Sequence, residues 1–142
     1  MKILIVGGTG LIGGEAALYF KSQGHDISIM ARKPSTVAAL AEFPFIATDY
    51  INDDVNDGRL EGFDALFFSA AADIRNLPID GSISPDDFYN KANDMAVPKF
   101  FQAAKNAGIK NVSISALFTH KSPLNKLANV PMSPHVTIPA NP

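Results

Sequence analysis

The 142-residue sequence contains no cysteine and no tryptophan, and no acidic residue follows Asp94. Without cysteine, neither a disulfide framework nor a thiolate metal site can form. The apolar runs fall far short of the roughly twenty residues that a helix needs to span a bilayer. The N-terminus enters a strand pattern directly, with no basic leader, so a cytoplasmic protein without a membrane partner is expected. His25, His120 and His135 stand at no metal-ligand spacing, and no metal is expected. Asp53, Asp54 and Asp57 lack the glycine and terminal glutamate of a calcium loop and read as a solvated acidic stretch.

The missing acids leave an uneven charge. Residues 1–94 carry all 14 acids and seven of the bases, and residues 95–142 carry only five lysines, for a net charge of -2. Those lysines (Lys99, Lys105, Lys110, Lys121 and Lys126) are dispersed, with no aromatic platform between them, so nucleic acid is not an expected partner. With 46% hydrophobic residues, the chain can form one globular core.

Apolar runs alternate with helical stretches. Strands are expected over residues 2–6, 27–31, 45–48, 65–69 and 112–115, each apolar enough to be covered on both faces. Helices are expected over residues 11–23, 35–42 and 84–107. The first has Leu11, Ala16, Leu18 and Phe20 on its apolar side and Gly24 as its stop. The last opens with Ser84 as N-cap, Pro85 at the first position and Asp86 and Asp87 at the positive end of the dipole. Pro98 lies inside it and removes one backbone hydrogen bond, so a kink is expected there. Strand–helix alternation of this kind predicts a doubly wound α/β domain with a parallel sheet of about five strands.

The first strand runs into Gly7-Gly8-Thr9-Gly10-Leu11-Ile12-Gly13, which fits G-x-G-x-x-G between a strand and a helix. Glycine early in the turn permits a backbone that a Cβ forbids. Gly10 lets a pyrophosphate approach the main chain, Gly13 lets the helix pack close to the strand, and the first N–H groups of the helix face the phosphates. The second strand ends Met30-Ala31-Arg32-Lys33 with no carboxylate to hold a ribose 2′-hydroxyl. Two cations there suit a 2′-phosphate, so NADP is expected rather than NAD.

With these motifs in place, residues 1 to about 115 resemble the extended short-chain dehydrogenase/reductases, the NAD(P)-dependent epimerase/dehydratases. The family's GGTGxIG opening stands here as Gly7 to Gly13, with Thr9, Leu11 and Ile12 between the glycines. The resemblance implies that Asp49 and Tyr50 touch adenine, that Ala70, Ala71 and Ala72 after Ser69 pass beside the cofactor, and that Asn93 (or Asn90) supports the active site. It also places Ser115 near the serine that assists catalysis. The implied fold is the Rossmann type, and the implied substrates are small carbonyl compounds or nucleotide sugars.

One feature of the family is missing. Its hydride chemistry uses Tyr-x-x-x-Lys, in which the lysine lowers the tyrosine's pKa. Tyr19, Tyr50 and Tyr89 are followed four residues later by Gln23, Asp54 and Asn93. Relative to the family the domain is expected to be truncated, with residues 1–115 as the dinucleotide-binding part and 116–142 as an atypical tail. That tail holds five of the ten prolines and no glycine. It reads either as an irregular extension along the sheet edge or as an out-of-frame continuation of a longer gene. Two functions stay open: an enzyme of the epimerase/dehydratase lineage, or a catalytically incomplete module or fragment that binds NADP(H), with an exposed sheet edge through which copies could assemble.

Overall fold

A computed structural model of the protein describes residues 1–115. Five parallel strands form one sheet: β1 (Lys2–Val6), β2 (Asp26–Ala31), β3 (Phe45–Ala47), β4 (Ala65–Phe68) and β5 (Asn111–Ile114), in the order β3-β2-β1-β4-β5. The order reverses at β1, from which the chain winds outward to both sides. A doubly wound sheet carries its ligands at such a switch point, beyond the C-terminal ends of the strands. Among the described residues β3 and β5 are the two edges.

The continuous hydrophobicity of β1 follows from its place at the centre. Leu4 and Val6 face one layer, with Met30, Leu66, Phe68, Phe100 and Phe101. Ile3 and Ile5 face the other, with Ala17, Ile27, Ile29 and Leu40. Successive side chains of a strand point to opposite faces, so a strand covered on both must be apolar at every position.

The helix after β1, α1 (Leu11–Ser22), corrects the expected apolar side. Its buried residues are Gly13, Gly14 and Ala17, while Leu11 is 85% exposed and Leu18 is also exposed. Only Phe20 of the predicted set packs on the second core layer. The cause is distance: the helix lies so close to the strands that small residues must face them. A Cβ on Gly13 would collide with Gly7 O just after β1 and with Ser69 Oγ at the end of the fourth strand. The helix ends on paired bonds, His25 N–H to Phe20 O and Gly24 N–H to Lys21 O, the expected C-terminal pattern. The expected helix over 35–42 shrinks to α2 (Ala38–Ala41), because Pro34 to Val37 remain outside it.

The long C-terminal helix is present with its predicted start. Ser84 Oγ accepts from the Asp87 N–H at 3.1 Å, and Pro85 opens α3 (Pro85–Tyr89). Its middle, Asn90–Ala96, is wound wider, in the π form, before α4 (Val97–Asn106) continues it. The irregularity expected at Pro98 is thus taken up upstream. A proline leaves a carbonyl one turn earlier without its donor, and a π stretch is one way in which a helix absorbs such a mismatch. Phe100, Phe101, Ala103 and Ala104 of α4 close the first core layer.

Candidate dinucleotide site

At the C-terminal ends of β1, β2, β3 and β4 lies a cavity of about 790 Å³. Its floor is the glycine turn. Gly7 has φ +80°, which a side chain rarely adopts, and a Cβ on it would fall 2.6 Å from Ala70 N. Its N–H donates to Met30 O at 2.8 Å, and Gly10 N–H returns to Gly7 O at 3.0 Å. Ser69 donates twice to one carbonyl, Val6 O, through its N–H at 2.9 Å and its Oγ at 2.8 Å. These bonds draw the ends of β1, β2 and β4 together beneath the cavity.

The glycines divide into two kinds. A Cβ on Gly13 would meet Gly7 O at 2.3 Å and Ser69 Oγ at 2.5 Å, whereas one on Gly10 would meet only Gly7 O, at 3.3 Å. Gly13 is therefore demanded by the protein's own packing. Gly10 lines the cavity and leaves its space to something outside the chain. The first turn of α1 has no side-chain cap and no acidic residue. Its N–H groups at Leu11, Ile12 and Gly13 lie at the positive end of the helix dipole, an arrangement that suits a phosphate. A nicotinamide dinucleotide thus fits the residues present.

Of the predicted residues, Gly7, Thr9, Gly10, Arg32, Lys33, Asp49, Tyr50, Ala70, Ala71 and Ala72 all line the cavity. Leu11, Ile12 and Gly13 do not; they form the adjoining helix start. Asn90, Asn93 and Ser115 also lie outside the lining. Ser115 continues the sheet instead, its N–H donating to Phe68 O at 2.9 Å. The tail at 116–142 lies outside the described residues.

Arg32 and Lys33 are exposed at the end of β2, and neither has a side-chain hydrogen bond or ion pair among the described residues. The acids near them are engaged: Asp73 pairs with Arg75, and the Arg75 guanidinium holds its carboxyl down to about 2. Asp49 accepts from Ile51 N–H at 3.0 Å and from Asn52 Nδ2 at 2.8 Å. Tyr50 packs edge-on against Phe68 with ring centroids 5.3 Å apart. Its hydroxyl is buried without a hydrogen-bond partner among the described residues. Burial, reinforced by the charge of Asp49 and opposed by Arg32, pushes its pKa up to about 12.

Behind this wall Arg59 organises the acidic loop. Its guanidinium donates to Asp57, to Asp53 at 3.4 Å and to Thr48 Oγ1 at 3.1 Å, and its bonds hold the Asp57 carboxyl down to about 2. The acidic stretch is therefore a cross-braced loop. Asn52, Asn76, Pro78, Ile83, Phe88 and Lys91 also line the cavity, and no sequence motif marks them. Lys91 on the long helix donates to Asn52 Oδ1 at 2.8 Å. The signal for Lys91 was weak, a lysine two residues before Asn93 on a helix whose winding could not be read locally.

Over residues 3–120 the sequence matches the NAD dependent epimerase/dehydratase family. The chain belongs to that family. The match makes it an NAD(P)-binding Rossmann protein of the epimerase/dehydratase type, and the sheet order and glycine turn agree. A curated relative, the 3 beta-hydroxysteroid dehydrogenase/Delta 5→4-isomerase of Mycobacterium tuberculosis, is 24% identical over 113 residues. The match takes in 77% of this chain and 30% of the relative. Among solved structures, a UDP-glucose-4-epimerase from Stenotrophomonas maltophila, with bound NAD and formylated UDP-arabinopyranose, superposes with a TM-score of 0.66 at 22% identity. That likeness covers 84% of this chain and 38% of the epimerase. The UDP-N-acetylglucosamine 4-epimerase of Bacillus cereus gives 0.61 at 21% identity, covering 89% and 39%. This epimerase/dehydratase-family chain therefore spans well under half the length of the proteins it matches.

Proposed function

We propose that residues 1–115 form the cofactor-binding part of an epimerase/dehydratase-type protein and that they bind NADP(H) in preference to NAD(H). The observation that carries the preference is the pair of cations, Arg32 and Lys33, unpaired among the described residues at the end of β2, a strand whose C-terminal end supplies no carboxylate of its own. An acid at that place would select a ribose 2′-hydroxyl; guanidinium and ammonium groups neutralise a 2′-phosphate. In this reading the α1 N–H groups and Gly10 hold the pyrophosphate, and Asp49 and Tyr50 border the adenine. Ala70 to Ala72 run beside the rest of the cofactor.

When bound, the nicotinamide supplies a hydride donor or acceptor for carbonyl or nucleotide-sugar chemistry of the kind indicated by the names of the similar epimerases. What this chain supplies is binding and orientation. No Tyr-x-x-x-Lys occurs in it, and that observation favours a second reading, a binding module without turnover. Fluorescence titration with NADPH and NADH, followed by a turnover assay on carbonyl and UDP-sugar substrates, tests both. Tighter NADPH binding without turnover supports the module, and tighter binding with turnover supports the enzyme. Equal affinities, or tighter NADH, refute the preference.

A further inference from the structure

We propose that Lys91 and Asn52 form a latch across the cavity mouth that fixes the carboxylate of Asp49 from the side of the long helix. Its part in binding rests on the dinucleotide reading above; the latch itself does not. Lys91 and Asn52 are separated by 39 residues of chain, and Lys91 Nζ donates to Asn52 Oδ1 at 2.8 Å. The other end of the same amide continues the connection, Asn52 Nδ2 donating to Asp49 Oδ2 at 2.8 Å. Only one orientation of the amide satisfies both neighbours, because its oxygen must face the ammonium and its NH₂ the carboxylate. All three residues line the cavity.

Asp49 is thereby held at both oxygens, Oδ1 by the Ile51 N–H at 3.0 Å and Oδ2 by Asn52. Its own N–H donates to Asp53 Oδ2 at 2.9 Å. On its far side the loop is braced by Arg59, and on the near side Lys91 brings the second cation to a segment that also carries Asp53, Asp54 and Asp57. The orientation of a group at the base end of the cavity is thus set by a residue of another element. Lys91 is a positioning residue in this account.

The test uses Lys91→Met, Asn52→Ala, the double variant and Lys91→Arg, with adenosine 2′,5′-bisphosphate and nicotinamide mononucleotide as separate probes of the two halves of the cavity. Losing a charge-assisted bond between exposed groups should weaken the bisphosphate about three- to tenfold. Either single variant should show that loss, the double should add nothing to it, and Lys91→Arg should recover most of it. The mononucleotide should be unaffected. In the ligand-free protein, hydrogen exchange at the Ile51 amide, which reports directly on Asp49, should quicken in Lys91→Met and Asn52→Ala. Additive losses, equal weakening of both probes, or a loss in Lys91→Met alone (a lysine touching the ligand directly) would overturn the latch's role. Unchanged Ile51 exchange would overturn the latch. Should the unaltered protein ignore the bisphosphate at millimolar concentration, the dinucleotide reading falls with the role in binding, and Ile51 exchange still decides the latch.

Discussion

Replacing Gly13 with alanine should destabilise the protein, and replacing Gly10 should do so far less. The added Cβ at position 13 would stand 2.3 Å from Gly7 O and 2.5 Å from Ser69 Oγ, with the Gly7 carbonyl carbon at 2.8 Å. Two of these atoms are backbone held by the turn's own bonds, so α1 must move away from the sheet. Overpacking of that kind costs about 1–3 kcal/mol, and contact with fixed backbone puts this site near the top of the range. Displacing Ser69 loosens its Oγ bond to Val6 O, which adds about 0.5–1.5 kcal/mol. Against this, alanine in a helix gains at most about 1 kcal/mol over glycine. The net loss is about 2–3 kcal/mol, readable as a lower midpoint in urea denaturation at constant slope. At Gly10 the one close atom is 3.3 Å from the added carbon, so its midpoint should fall much less than that of Gly13→Ala while dinucleotide binding is lost. A Gly13→Ala midpoint equal to that of the unaltered protein would contradict this packing, as would a Gly10→Ala protein destabilised as strongly as Gly13→Ala that still binds.

Arg32→Ala should weaken NADPH about tenfold or more, the worth of a charge-assisted bond to phosphate, and spare NADH; calorimetric titration of both cofactors checks it, and equal losses would contradict it. Tyr50→Phe removes a buried hydroxyl that has no partner among the described residues and should raise stability by about 1 kcal/mol in urea denaturation. The same substitution tests pH dependence. The Tyr50 pKa is raised from 10 to about 12 in the fold, so the neutral form is favoured when folded. Its contribution is complete below pH 10 and is lost as pH rises towards 12, a decline that should be absent from Tyr50→Phe. Arg59→Met should release the Asp57 carboxyl, held down to about 2 by that guanidinium, and carbon-detected NMR titration should show its midpoint rise.

The sequence was most legible where one local requirement decides the structure. The alternation of strands and helices, the order of events from β1 to Gly13, and the Ser84 cap are all local, and all are present, with the helix over 35–42 shortened. Hydrophobicity points to Leu11 and Leu18 as the buried side of α1, whereas close packing against the sheet and against Leu40 of α2 puts Gly13, Gly14 and Ala17 there. That closeness is a tertiary fact with no trace in the helix's own periodicity. The glycine turn, the β2 cations, Asp49, Tyr50 and the alanines were all brought to one cavity, because a strand's C-terminal end fixes where the next residues must lie. Phe88 and Lys91 were missed for the opposite reason. They reach the cavity from a helix wound partly in the π form, and the residue that meets Lys91 is 39 positions away. Tyr50 shows a third limit: a tyrosine beside Asp49 reads as a ligand contact, yet nothing local says that its hydroxyl is buried.

The claim that the cavity is a dinucleotide site is tested most directly by titrating NADPH into ¹⁵N-labelled protein and following the backbone amides. Saturable shifts are expected at Gly7, Thr9 to Ile12, Arg32, Lys33 and Ala70 to Ala72, with the edge strand β5 unmoved. Shifts confined to other residues, or none at millimolar NADPH, would contradict it.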